Sequence, residues 1–346
     1  MTLAWGPAEA TSIGSLPGTS ATEAARIVCG ELPGFVHVPE LPARGPGADM
    51  IGRTGGLIAR VSAGLSLETT PDGWRFTSAI GREMRQAASF LGEDLDALEE
   101  AAFGYAGPVK CQVVGPWTMS AAVELTSGER ALRDPAACWD IAQALGEAVR
   151  EHVAELRRRF PDAGGVVVQL DEPGLPAVLA GHVGTASGLS SYKAVDPQIA
   201  EKVLGHVLSA ATGADALAGV HCCAADAPVD LVRASGAGFV SVDILNADDA
   251  LDQSLGRAWE AGTGLLVGTV PSIGSGALGD TRASAPLRDL LHRLGLDDDR
   301  WLDQVAVTPT CGLAGASPDW TRTALAACRA VGRVLRHDET ESDDDR

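Results

Sequence analysis

Aromatic residues are scarce in this chain, at 4% of the whole and with only two Tyr among them. Val, Leu and Ala must therefore do most of the packing. Positive charge is short as well: 27 Lys and Arg stand against 46 Asp and Glu, a formal net charge of -19. A surface of that sign repels phosphate, which argues against nucleic acid as a partner. Part of the excess is local, because residues 337–346 read His-Asp-Glu-Thr-Glu-Ser-Asp-Asp-Asp-Arg. Such a run is expected to be a solvated, disordered acidic tail. No apolar run approaches the ~20 residues that a membrane span needs. The first residues also lack the basic region and apolar stretch of a secretory signal. The expectation is a cytoplasmic protein with no membrane partner, whose seven Cys are thiols or ligands rather than a disulfide framework.

What the chain does have is apolar material, 45% of 346 residues, enough for one large core. Strand-like runs recur at 10–15, 34–39, 109–114, 165–170, 216–220, 238–243, 264–270 and 304–308. Helical patterns separate them, and no compositional break divides the halves. Eight strands alternating with helices predict an α/β fold, a single (β/α)8 TIM barrel over residues 1–336. A doubly wound sheet would carry a Gly-rich phosphate loop after its first strand, and none is present. Residues 63–78 stand outside the alternation and read as a hairpin turning at Pro71-Asp72-Gly73.

Barrel enzymes gather their chemistry at the C-terminal ends of the strands. Ser15, Glu40, Asp171, His221, Cys223, Asp243 and Cys311 stand there. In an extended strand, residues two apart share a face, so His221 and Cys223 point together while Cys222 points away. One His and two Cys from two strand ends form a three-ligand set suited to zinc with a position left open. Cys29, Cys111, Cys138 and Cys328 read instead as small core residues. Asp171 ends an apolar strand, where a carboxylate must find a cation or donors, or else protonate. Its neighbour Glu172 fits a structural pairing.

Four segments then carry a resemblance: Ile13-Gly14-Ser15-Leu16-Pro17, Gln169-Leu170-Asp171-Glu172-Pro173, His221-Cys222-Cys223 and Pro309-Thr310-Cys311-Gly312-Leu313. Together, and in this order, they resemble the catalytic domain of cobalamin-independent methionine synthases, in the short form that lacks an additional N-terminal barrel. The resemblance implies a zinc-dependent methyltransferase that moves a methyl group to homocysteine, giving methionine. By the same resemblance His221, Cys223 and Cys311 match zinc ligands, and Asp243 stands where the family has a ligating Glu. Ile13, Gly14 and Ser15 match the loop that holds the amino acid, Asp171 the carboxylate that pairs with its ammonium, and Glu40 a second substrate-binding acid. The family's Asp-Ile-His-Ser stretch after strand seven corresponds here to residues 267–275, which contain no His. The methyl donor is thus a methyltetrahydrofolate or, needing less acid assistance, a methyl-corrinoid protein. Two rival readings are a decarboxylase like the related uroporphyrinogen decarboxylases and a non-catalytic zinc or thiol-ligand binding protein.

Overall fold

The computed structural model describes residues 3–343 apart from 63, 297 and 298, with backbone alone at 299–300 and 337–343. Its principal sheet has eight parallel strands: β1 (Glu9–Ala10), β2 (Val36–His37), β3 (Pro108–Val114), β4 (Gly165–Asp171), β5 (Leu217–His221), β6 (Phe239–Asp243), β7 (Gly264–Val270) and β8 (Val305–Pro309). Their spatial order is β1-β8-β7-β6-β5-β4-β3-β2. A parallel bridge between Ser15 and Glu40 joins the two ends and closes the ring. It consists of Leu16 N donating to Glu40 O at 2.8 Å and Glu40 N donating to Gly14 O at 3.2 Å. The fold is the expected (β/α)8 barrel.

β1 and β2 are much shorter than the runs at 10–15 and 34–39 predict. Pro17 and Pro39 lack the amide hydrogen that a ladder needs. Gly14 holds φ at +154°, and a Cβ there would lie 2.8 Å from the Gln112 side chain. The chain leaves regular pairing at these points and forms the cavity loops instead.

Helices α1 (Ala21–Glu31), α2 (Met50–Val61), α3 (Arg82–Ala101), α4 (Pro116–Ala122), α5 (Pro135–Arg159), α6 (Leu175–Ala180), α7 (Pro197–Gly213), α8 (Val229–Ala234), α9 (Asp249–Glu260), α10 (Asp280–Leu294) and α11 (Pro318–Asp343) surround the barrel. Side-chain caps start several of them. Ser20 accepts from Glu23 N, Asp49 from Gly52 N, and Asp248 from Leu251 N, each satisfying an amide that the helix itself cannot. The hairpin forms from Ser66–Thr70 and Gly73–Thr77, and Val123–Glu124 adds a third strand to it. At the C-terminus, helical backbone runs on to Asp343, whereas the sequence led us to expect a disordered tail from 337. No Gly or Pro stands between 333 and 343 to stop the helix,. Residues 344–346 lie outside the described residues.

Inside the barrel the side chains are layered. Trp5, Phe35, Val167, Phe239, Leu266 and Ala306 form an apolar floor near the N-terminal ends of the strands. Trp5 stacks on Phe35 at 5.6 Å and meets Phe239 edge-on at 5.8 Å. Two residues further along each strand point the same way, and there the character changes. Val167 gives way to Gln169 and Asp171, Phe239 to Ser241 and Asp243, Ala306 to Thr308. The polar upper layers carry the site.

Candidate active site

A cavity of about 270 Å³ opens at the C-terminal end of the barrel. Ile13, Ser15, Glu40, Met50, Asp171, Pro173, His221, Cys223, Cys311 and Gly312 are among its lining residues. A larger hollow of about 580 Å³ lies at the opposite end beside Leu3 and Trp5, with Asp303 as the one ionisable group on its described wall. The chemistry belongs to the smaller cavity, where the carboxylates and soft ligands meet.

Part of that cavity's lining is the soft-ligand cluster. Ligand atoms of His221, Cys223 and Cys311 all lie within 4.8 Å of one another, and the two sulfurs are 3.3 Å apart. Shared between them, a proton leaves Cys311 drawn well below the ordinary thiol range by the Cys223 hydrogen bond, with help from His221. The same hydrogen bond pushes Cys223 up. His221 Nδ1 lies 2.9 Å from Ser241 Oγ. Its Nε2 is buried with no hydrogen-bond partner among the described residues. An imidazole nitrogen left unbonded beside two sulfurs is a good fit for a soft divalent metal, because imidazole and thiolate are the ligands such a metal prefers. Cys222 is buried on the opposite face, as the strand period requires,.

Asp243 does not join this group. It ends β6 on the same side, but its Oδ1 accepts from Leu245 N at 2.8 Å and its Oδ2 lies 3.5 Å from Asn246 Nδ2. Half-burial pushes its carboxyl up, against those two donors.

The same lining carries Asp171, which pairs in register with His221 on the neighbouring strand, and Glu40. Asp171 is 7% exposed and receives Gln169 Nε2 on Oδ1 at 2.7 Å. Burial pushes its carboxyl up, while His221, Gln169 and Lys110 oppose that shift. Burial also raises Glu40 to about 7, against the pull of Arg53, whose Nε lies 3.6 Å from Oε1. Arg53 itself is held by Asp94 at 2.7 Å, and Asp94 also binds Arg44 at 2.6 Å. Two buried carboxylates facing one cavity favour a cationic group between them, because it relieves the cost of both charges.

Backbone ties fix the loop that carries Ile13, Gly14 and Ser15. Besides the bridge to Glu40, Ser15 O accepts from Leu313 N at 2.8 Å. A Cβ on Gly312 would collide with Ser15 Oγ, so the turn after Cys311 packs directly on Ser15. The structure therefore gathers Ile13, Ser15, Glu40, Asp171, His221, Cys223 and Cys311 around one space, with Gly14 beneath them on Gln112. Glu172, adjacent in sequence, points elsewhere. Its carboxylate accepts from Trp117 N, Thr118 N and Thr118 Oγ at 2.9, 2.7 and 2.6 Å, capping α4.

The sequence reading passed over Lys110. It is completely buried and donates to Ile13 O at 2.8 Å and Gln169 Oε1 at 2.9 Å. The available signal was a lone Lys inside the apolar run Val109-Lys110-Cys111-Gln112-Val113-Val114, since a charge placed in a buried strand needs a reason.

The family described as "Cobalamin-independent synthase, Catalytic domain" matches residues 97–333, more than half of the chain. The chain belongs to this family. The match includes Asp171, His221, Cys223, Asp243 and Cys311 and begins after the loops of β1 and β2. Membership makes the chain an enzyme, a methyltransferase of the methionine synthase type. Neither the decarboxylase-like reading nor the non-catalytic one draws support from it.

Among solved structures, a B12-independent methionine synthase from Shewanella sp. W3-18-1, in complex with selenomethionine, superposes with a TM-score of 0.61 at 14% identity. The alignment covers 97% of this chain and 99% of that one, and at this identity it speaks to the fold. A D-allulose 3-epimerase from Methylomonas sp. reaches only 0.37 at 10% identity, covering 70% of this chain and 82% of its own. A morphinone reductase reaches 0.42 at 13% identity, covering 89% and 81%. No curated protein matches the chain. Among the described residues, no helix is long and apolar enough to cross a membrane.

Proposed function

We propose that this enzyme is a zinc-dependent methyltransferase of the cytoplasm that transfers a methyl group to the thiol of homocysteine, giving methionine. The observation that carries the reading is the meeting of two kinds of group in the lining of one cavity. The Nε2 of His221 and the Cys223 and Cys311 sulfurs are one, and the buried carboxylates of Asp171 and Glu40 are the other. An amino acid with a terminal thiol matches that arrangement at both ends.

His221, Cys223 and Cys311 would hold the zinc, and Asp243 would complete the set only by releasing Leu245 N and Asn246. Zinc bound there supplies a redox-inert Lewis acid that keeps a substrate thiol deprotonated at neutral pH, where a free thiol with pKa ~8.5 is mostly protonated. Asp171 and Glu40 receive the substrate's ammonium. The 13–15 loop, fixed on Glu40 and Leu313, orients the amino-acid end so that the sulfur faces the soft-ligand cluster. The Shewanella protein's complex with selenomethionine is consistent with an amino acid of this kind in such a cavity.

The donor is a methyltetrahydrofolate or a methyl-corrinoid. Residues 267–279, the end of β7 and the segment after it, contain no ionisable side chain. Without an acid there to assist a poor leaving group, a methyl-corrinoid is the better match.

Elemental analysis of freshly purified protein tests the reading. About one zinc per chain is expected in the wild type, with a clear loss in Cys311→Ser. Absence of zinc from the wild type overturns the thiol-activation reading. With zinc present, homocysteine methylation assayed against folate and corrinoid donors decides the donor.

A further inference from the structure

Lys110 is one of only three lysines in the chain, and it lies below the cavity rather than on its wall. A lysine ammonium has three donors and no acceptor, so each of its partners must accept. Its two partners are Ile13 O and Gln169 Oε1. With the Gln169 oxygen committed to the lysine, the amide nitrogen has to face the other way. There it donates to Asp171 Oδ1 at 2.7 Å and to Ile13 O at 3.0 Å. The relay therefore has a fixed polarity, running from ammonium through amide oxygen and amide nitrogen to carboxylate.

Keeping a charge at this depth is costly. Burial pulls the Lys110 ammonium down to about 8, with Asp171 and Glu40 opposing. An unbranched apolar side chain would fill the same space without that cost. What it could not do is dictate which way the Gln169 amide points, since amide oxygen and nitrogen are nearly equal in shape.

We propose that Lys110 is a positioning residue for the amino-acid substrate: by fixing the Gln169 amide it presents Asp171 to the cavity as an acceptor for the substrate's ammonium. The inference rests on the proposed reading that Asp171 receives the substrate's ammonium.

Calorimetric titration of the zinc-loaded chain tests it with two probes. One is homocysteine. The other is γ-mercaptobutyrate, which keeps the thiol and carboxylate but lacks the amine. Lys110→Met should bind homocysteine about ten- to a hundredfold more weakly, the range of a charge-assisted hydrogen bond. It should bind γ-mercaptobutyrate as the wild type does and retain its zinc. A merely structural role would weaken both probes alike, and that outcome overturns the proposal. Gln169→Leu leaves Lys110 bonded to Ile13 while cutting the relay, so it carries the same expectation should Lys110→Met fail to fold. If Asp171→Asn loses homocysteine but Lys110→Met and Gln169→Leu both bind it normally, the positioning role is wrong while the site reading stands. Wild-type homocysteine affinity in Asp171→Asn overturns both.

Discussion

Replacing Ser241 with Ala removes one hydroxyl from the barrel interior and isolates the orientation of a single imidazole. In the folded chain Nδ1 of His221 lies 2.9 Å from Ser241 Oγ, and Nε2 is buried without a partner among the described residues. An Nδ1–H donated to the hydroxyl leaves the lone pair on Nε2, free to ligate a metal. Without the hydroxyl, that N–H is left buried with no acceptor, at a cost of about 1–3 kcal/mol. The ring can recover part of the cost by changing tautomer, which takes the lone pair away from the ligand cluster. Zinc affinity should fall by about 10- to 100-fold, or ~1.4–2.8 kcal/mol, read by competition with a chromophoric chelator at fixed pH. The strand itself should persist, because Ser241 contributes to β6 through its backbone carbonyl, which accepts from Cys222 N at 2.9 Å. Cys222→Ala is the matched control: it empties a neighbouring buried position on the opposite face and should leave zinc affinity unchanged. Equal affinity in Ser241→Ala and wild type would refute the assignment of Nε2 as the ligating atom.

Glu172→Ala should destabilise the fold by about 3 kcal/mol, because it orphans the buried amides of Trp117 and Thr118 at the start of α4; a loss under ~1 kcal/mol by urea denaturation would show that water replaces the carboxylate. His152 tests the acid side of stability. Burial holds its imidazole at about 4, below the ordinary 6.5. Between those pH values the unfolded chain takes up a proton that the folded chain refuses, so this contribution is intact above pH 6.5 and is lost as pH falls,. His152→Leu removes the linkage. Its stability relative to wild type should improve by up to ~1.4 kcal/mol per pH unit as the medium is acidified through that window, and a pH-independent difference would contradict the buried neutral ring.

The sequence made the barrel legible where strands are buried on both faces, since β3 to β8 stand as continuous apolar runs. It was less informative at β1 and β2, whose pairing is cut short by Gly14, Pro17 and Pro39 and resumes only as the Ser15–Glu40 bridge. His221, Cys223 and Cys311 could be read because the two-residue period and the strand ends sufficed to place them. Asp243 shows the limit of that logic. Its backbone sits where expected, but Leu245 N and Asn246 hold its carboxylate, and local turn chemistry of that kind is invisible to strand counting. The roles of Lys110 and Gln169 went unread for a different reason. Their meaning lies in contacts between β3, β4 and the 13–15 loop, up to 156 residues apart in sequence, and the one local sign is a lone Lys in an apolar run.

The seam between β1 and β2 has a consequence for how the barrel responds to its ligand. Every other neighbouring pair of strands in the ring is joined by a ladder of at least two residue pairs. This one is joined by a single bridge, and both bridging residues, Ser15 and Glu40, are also cavity wall. A molecule held by those two residues at once is a further bond across the thinnest part of the hoop. Occupancy and closure of the cylinder are then one equilibrium, with the free energy of binding shared between them. A ligand bonded to both residues would tighten the barrel at its least-paired seam.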